Sequence, residues 1–281
     1  MPPDRSSIRR LVLLAHPVAH SLSPAFQSAA LRAAGLPLAY DAIDVPPAGL
    51  AAALDALVAG GAAGNATLPH KEAVYARCAV RSAVAERVGA VNTWWRAPDG
   101  RLVGDNTDVA GVADAVAALV GRMPEQPVVA LLGAGGSAAA VAVAAEGWPG
   151  ARVRVWSRTR ARAEALAARF PSHVHVARSS DDAVRGATLV VNATPLGLRP
   201  DDAMPVAPAA LAPAAAVLDL VYRRGETAWV HAARAAGHPA ADGLAMLIAQ
   251  GAASFARWFG TAPDVDAMWA AVGGRPARPR S

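Results

Sequence analysis

The run Val128–Leu132 (VVALL) passes without a polar residue into Gly133-Ala134-Gly135-Gly136-Ser137 and then into an alanine-rich stretch. An unbroken apolar run of this kind reads as a strand buried on both faces, which belongs in a parallel sheet covered by helices. The glycines permit a tight turn, and the helix that follows aims its first N–H groups back at that turn, a ready anion site. Arg152–Trp156 supplies a second strand about twenty residues later, as a βαβ nucleotide-binding unit requires. The third glycine of the usual fingerprint is replaced, with Ala138 and Ala139 the nearest small residues. Gly133, Ala134, Gly135, Gly136 and Ser137 are thereby candidates to cradle a dinucleotide pyrophosphate.

The second strand ends in Trp156-Ser157-Arg158-Thr159-Arg160-Ala161-Arg162. An acidic residue there would bond a ribose 2′-hydroxyl and select NAD; none is present. Ser157, Arg158, Thr159 and Arg162 can instead surround a 2′-phosphate, for which the planar guanidinium fork is suited. The cofactor expected is NADP(H). The alternative is a solvated charge cluster at a helix start.

Around this unit the chain alternates short β-branched runs with alanine-rich helical segments. Before it, strands are expected at Arg10–Ala15, 39–44 and 64–67, and helices at 23–34 and 48–60. Ser23 followed by Pro24 suits an N-cap serine with proline at the first helical position. A hairpin is expected from 91–96 and 102–104 around Pro98-Asp99-Gly100. Further on, 109–120 reads as a helix, and 188–192 and 217–220 as strands.

A second feature lies at 64–72, G-N-A-T-L-P-H-K-E. Proline pushes the residue before it towards extended geometry, so the segment reads as a strand end turning into a helix that starts near His70. Lys71 then sits in the first helical turn, where the helix dipole disfavours a cation. A lysine there is suited to hold an anion or to transfer a proton.

Hydrophobic residues make up 54% of the 281, enough for a sizeable core, and at this length two compact units are the default. The net charge of +5 comes largely from arginines, concentrated at 152–162 and in the C-terminal tail. No aromatic-interleaved basic stripe accompanies them, which argues against nucleic acid and for a phosphorylated small ligand. The single cysteine, Cys78, excludes an intramolecular disulfide framework and a Cys-rich zinc site. No metal site is expected. Arg9-Arg10 precede an apolar run cut short by His16 and Pro17, too short for a signal peptide. No segment approaches the roughly 18 apolar residues of a membrane span, so a soluble, cytoplasmic protein is expected.

Nine blocks, in order, carry a resemblance to shikimate dehydrogenases over nearly the whole chain. They are H-S-L-S-P at 20–24, N-A-T-L-P-H-K-E at 65–72, G-A-V-N-T at 89–93, G-D-N-T-D at 104–108, L-G-A-G-G-S at 132–137, S-R-T-R-A-R at 157–162, N-A-T-P-L-G at 192–197, D-L-V-Y-R-R-G-E-T at 219–227 and A-D-G-L-A-M-L-I-A-Q at 241–250. The resemblance implies NADPH-dependent reduction of 3-dehydroshikimate to shikimate, and its reverse. It implies an α/β fold of two domains, a substrate-binding α/β domain (1–107) and a Rossmann-type, doubly wound NADP-binding domain (108–242). A C-terminal helical segment (243–281) would return to the substrate domain, with a mobile tail from 273.

Carried over by motif, Lys71 and Asp108 form the catalytic pair. Ser21 and Ser23 bind the substrate carboxylate, with Tyr222 at the same end. Thr67, Asn92 and Gln250 bind ring hydroxyls, and Asn65 belongs to the same substrate-binding block. Thr194, Leu220 and Gly243 lie along the nicotinamide path. Plainer readings exist: Asn106-Thr107-Asp108 is a respectable helix cap, Asn92 and Thr93 can shape the hairpin, and Tyr222 can be a core-edge tyrosine. Departures from the family pattern are Ala15-His16, Gln27, Ala66, Ser157 and Ala245. None removes a group the chemistry needs, but several border the site, so quinate or an amino-shikimate is the alternative substrate. A catalytically silent paralogue would be expected to have lost Lys71 or Asp108, and both are present. Monomer and homodimer stay open.

Overall fold

The computed structural model of the chain describes residues 7–223 and 225–275. They form two compact units, one comprising the chain up to Gly111 together with the chain from Leu247, the other Val112–Met246. The first unit is therefore discontinuous in sequence.

In the first unit β1 (Arg10–Ala15), β2 (Tyr40–Asp44), β3 (Ala62–Ala66), β4 (Val80–Arg81), β5 (Thr93–Arg96) and β6 (Leu102–Asp105) make one sheet in the order β2-β1-β3-β5-β6-β4. β1 is parallel to both neighbours, because α1 (Ser23–Ala33) and α2 (Leu50–Ala59) provide crossovers long enough to return the chain. β5 runs antiparallel to β3 and β6, and the expected Pro98-Asp99-Gly100 turn closes the β5–β6 hairpin, with Gly100 at φ +88°. On one face Val12, Leu14, Leu50, Leu54 and Trp94 pack with Val74 of α3 (Lys71–Arg77). β4 and the following α4 (Ala83–Val88) are not foreseen from the sequence. Two and six residues are too short to show a period, though Ser82 caps α4 by accepting the Ala85 N–H at 3.0 Å.

The expected capping role of Ser23 is corrected. Ser23 is already the first helical residue, and the hydroxyl of Ser21 accepts its N–H at 3.2 Å. Proline at the next position fixes only the helical φ, so Ser23 opens the helix expected over 23–34 and does not cap it.

α5 (Asp108–Val120) leads into the second unit. There β7 (Val128–Leu132), β8 (Arg152–Trp156), β9 (Val174–Val176), β10 (Leu189–Asn192), β11 (Ala216–Asp219) and β12 (Ala240–Ala241) form an all-parallel sheet ordered β12-β11-β10-β7-β8-β9. The chain starts at the centre, builds outwards to β9, then returns past β7 to build the other half. Such a reversal leaves a crevice at the C-terminal ends of β7 and β10, where α/β sheets bind ligands. Register places Leu132 beside Asn192 and Asn192 beside Asp219 at those ends. The connections include α6 (Gly136–Ala145), α7 (Arg160–Arg169), α8 (Ser180–Val184) and α9 (Ala228–Ala235). Apolar residues of α8, α9, β7, β10 and β11 share one core.

α10 (Leu244–Phe259) begins in the second unit and continues in the first, followed by α11 (Val265–Ala270). In the first unit its Phe255 and Trp258 are fully buried, and Arg257 pairs with the buried Asp105 of β6 at 2.6 Å. Of the C-terminal tail, 273–275 lie against α11, where the Gly274 N–H reaches the Trp269 carbonyl at 2.8 Å. The remainder, 276–281, lies outside the described residues. No helix among the described residues is long and apolar enough to cross a membrane.

Candidate active site

α3 begins at Lys71, with His70 before it turned inward so that its Nε2 meets the Val45 carbonyl at 2.8 Å. Lys71 thus stands at the positive end of a helix, and the cost is met by a carboxylate: Nζ donates to Asp108 Oδ2 at 2.6 Å. The two side chains are only 14% and 5% exposed, so little water screens the pair. Asp108 opens α5, and the capping alternative can be tested on it. The Asp108 N–H is taken by Asn106 Oδ1 at 3.0 Å and the Gly111 N–H by the Thr107 carbonyl. The Asp108 carboxylate itself is engaged by Lys71 and Asn92.

Asn92 sets the orientation. Its Oδ1 accepts the Thr107 N–H at 2.8 Å and the Thr93 hydroxyl at 3.0 Å. Its NH2 must then turn the other way, and it donates to Asp108 Oδ1 at 2.8 Å and lies 3.3 Å from Gln250 Oε1. A backbone N–H cannot reverse, so the amide has one satisfactory orientation. Lys71, Asp108, Asn92 and Gln250 are brought together in the first unit from α3, α5, the residue before β5, and α10.

Behind them lies a hydroxyl cluster absent from the expected site. Thr93, Thr107 and Ser254 oxygens stand 2.7–3.2 Å apart, and Ser254 donates to the Gln250 carbonyl at 2.9 Å. Thr93 and Thr107 sit inside two of the motif blocks. Ser254 carries one signal: it lies one helical turn beyond Gln250, a second polar residue on an otherwise apolar face. Asn65 belongs to this layer. Its amide accepts the Tyr40 hydroxyl at 2.7 Å and donates to Ser254 and the Asn92 carbonyl, so its polar atoms are occupied by protein.

Ser21 and the buried Ser23 stand together at the start of α1, and Thr67 is half-buried just past β3. His16, one of the departures, holds Asp44 at 2.6 Å, and that hydrogen bond keeps the Asp44 carboxyl below its ordinary range. Gln27, another, is buried and donates to the Gly251 carbonyl at 3.0 Å. Burial pushes the Cys78 thiol up to about 12, so it is an inert core residue.

The remaining site residues lie in the second unit. Gly133 adopts φ +110°, and a Cβ there would meet the Ala193 carbonyl oxygen at 2.6 Å, so only glycine fits. Gly135 faces open space at the start of α6, which has no side-chain cap. An uncapped helix start with a bare glycine before it fits a pyrophosphate, with Ala134, Gly136 and Ser137 around it. Ser157 is half-buried and Arg158, Thr159 and Arg162 are exposed. Arg160 is committed to Glu164 at 2.8 Å, whereas Arg158 and Arg162 form no ion pair among the described residues. That leaves two guanidinium forks for a 2′-phosphate. Thr194 follows β10, Leu220 and the half-buried Tyr222 follow β11, and Gly243 precedes α10. A Cβ on Gly243 would strike the Leu220 carbonyl oxygen at 2.3 Å, so these two turns touch through backbone.

A parallel-sheet unit of the dinucleotide-binding type and a mixed-sheet unit give the architecture of a two-domain, dinucleotide-dependent α/β oxidoreductase. The Shikimate dehydrogenase substrate binding domain model matches residues 13–94, and the Shikimate 5′-dehydrogenase C-terminal domain model matches 243–272. The Shikimate dehydrogenase (NADP(+)) of Methylobacterium radiotolerans is 42% identical over 263 residues, covering 91% of this chain and 93% of that one. The chain belongs to the shikimate dehydrogenase family. The crystal structure of a Thermus thermophilus shikimate 5-dehydrogenase in complex with NADP(H) and shikimate has a TM-score of 0.83 at 40% identity, over 94% of this chain and 98% of that one. The quinate dehydrogenase of Corynebacterium glutamicum, in complex with NAD, reaches 0.83 at 31% identity, over 93% and 97%.

Proposed function

We propose that the chain catalyses the reversible, NADPH-dependent reduction of 3-dehydroshikimate to shikimate. The observation that carries this reading is the dry Lys71–Asp108 pair, 2.6 Å apart and oriented by Asn92. Hydride addition to a ketone builds negative charge on the carbonyl oxygen, which must be stabilised and protonated. The Lys71 ammonium donates a hydrogen bond to that oxygen and then passes it a proton, to be recharged from solvent. In the reverse direction the neutral amine takes the hydroxyl proton. Asp108 keeps the ammonium aimed and accepts from a neighbouring substrate hydroxyl.

Gln250 and Thr67 are assigned to ring hydroxyls, Asn92 is assigned to them on the family pattern beside the protein partners it already has, and Ser21 and Ser23 are assigned to the carboxylate. Tyr222 is assigned to the carboxylate end on the family pattern. Asn65, whose polar atoms already have protein partners, is placed as a positioning residue one layer back. Gly133–Ser137 and the Ser157, Arg158, Thr159 and Arg162 cluster would hold NADPH, which supplies the hydride when bound. A site built to bond several hydroxyls rejects analogues that lack them.

The test is turnover with shikimate, quinate and an amino-shikimate, each with NADP and NAD, on wild type and Lys71→Ala. Shikimate turnover with NADP should dominate and fall roughly 10²–10⁴-fold in kcat in the variant, with NADPH binding kept. Preference for quinate or for NAD would replace this reading with a sister activity and discredit the role given to Arg158 and Arg162. A wild type that binds NADPH without turning over would be a silent paralogue.

A further inference from the structure

Asp219 ends β11 fully buried, and no cation pairs with it among the described residues. Its partners are neutral donors from three places. Oδ1 accepts the Val221 N–H at 3.0 Å and the Asn192 side-chain amide at 2.8 Å, and Oδ2 accepts the Thr227 hydroxyl at 2.8 Å. Asn192 passes the constraint on: its Oδ1 takes both the N–H and the hydroxyl of Thr194, at 3.0 and 2.6 Å, and its NH2 also reaches the Leu196 carbonyl at 3.0 Å. The Asn192 carbonyl accepts the Leu220 N–H at 2.9 Å, and the Val221 carbonyl accepts the Gly243 N–H at 2.9 Å. One carboxylate thus sits at the root of the turns that carry Thr194, Leu220 and Gly243.

A buried carboxylate held by hydrogen bonds without a counter-charge is costly. Burial pushes its carboxyl up to about 6, against the pull of its three hydrogen bonds. The titratable neighbour that faces it is Asp242, past β12, itself raised by burial and opposed by Arg234 of α9. The groups reaching Asp219 from β10, from the chain after β11 and from the start of α9 carry no charge. A side chain that costs stability, at strand ends where parallel sheets bind ligands, needs a reason other than stability.

We infer that Asp219 is a positioning residue for the cofactor end of the reaction, locking the turns after β10 and β11 into the one arrangement that receives the nicotinamide. The inference rests on the reading of those turns as the nicotinamide path. Asn at 219 keeps the shape but puts an NH2 at one end. That NH2 faces either the donors of Val221 and Asn192 or the Thr227 oxygen, so the original set of acceptances cannot be restored.

The experiment compares Asp219→Asn with wild type in the full chain, measuring NADPH and shikimate dissociation constants separately between pH 5 and 8. NADPH should bind about tenfold more weakly, the equivalent of one lost hydrogen bond, with shikimate binding unchanged. The cofactor 2′-phosphate titrates in the same range but does so in both proteins, so the readout is their difference. That difference should shrink below pH 6, where the wild-type carboxyl is itself protonated. Unchanged NADPH affinity, equal losses for both ligands, or a difference flat with pH would overturn the inference. Should Asp219→Asn not fold, Thr227→Val carries the same test, with Thr227→Ser restoring affinity. Wild type that fails to turn over shikimate would remove the proposed activity, while the NADPH arm still judges Asp219.

Discussion

Asp108 and Asp219 are both almost fully buried carboxylates at the edge of a sheet unit, and they are stabilised in opposite ways. Asp108 faces the ammonium of Lys71 and the amide of Asn92. Asp219 faces two N–H donors and a hydroxyl, with no cation among the described residues. A charge opposed by a charge can do chemistry, because the proton has somewhere to go. A charge held only by fixed dipoles can do little but hold them in return. On the roles proposed above, the same side chain would serve chemistry in one unit and positioning in the other, and what surrounds it decides which.

The largest break in this comparison should come from Asp108→Asn. The Lys71 ammonium would lose its counter-charge, and the amide can accept from Lys71 or from Asn92 but not from both. A kcat fall of roughly 10²–10⁴-fold is expected, and combined with Lys71→Ala it should cost little more than either alone, as for groups acting as one unit. Full additivity in steady-state rates would show that the two do not form a pair.

Asp219→Asn should behave differently in the stability measurement. The folded carboxyl titrates near 6 against an ordinary 3.8, so the folded chain holds the proton more tightly than the unfolded one. Its contribution is complete below about pH 4 and is lost as pH rises through 6, by about 3 kcal/mol at most. The variant does not titrate there, so its stability relative to wild type should climb by that amount between pH 4 and 7 in urea unfolding. A constant offset across that range would mean that Asp219 is charged in both states alike.

Ser254→Ala should give the smallest effect. It removes a buried hydroxyl shared by Thr93, Thr107 and Asn65, at a cost of about 1–2 kcal/mol in unfolding free energy. Its effect on kcat should stay well below that of Asp108→Asn. A loss of activity as large as that of the aspartate variant would move the hydroxyl cluster from support to chemistry.

How much of this is legible in the sequence varies with the range of the interaction. β7 stands where its apolar run places it, β8 where the spacing of a βαβ unit places it, and the hairpin turn follows from Pro98-Asp99-Gly100. β4 and α4 are too short to show a period. Ser23 reads as the cap because Ser-Pro looks the same whether the serine precedes the helix or opens it; only the Ser21 hydroxyl on its N–H distinguishes them. Ser254 and Tyr40 carry no motif of their own, and both reach Asn65 of β3 from far along the chain.

Local chemistry and order along the chain are therefore written in the sequence: the glycine turn after a buried strand, a lysine at a helix start, arginines where an acidic residue would select NAD, and blocks in the family's order. Those features depend on a few neighbouring residues and their backbone preferences. Which way the Asn92 amide turns, that the Asp108 carboxylate meets Lys71, and that Asp219 has only neutral partners among the described residues were decided by the tertiary structure. Each depends in part on a partner brought from 15 or more positions away: Thr107 and Asp108 for Asn92, Lys71 for Asp108, Asn192 for Asp219.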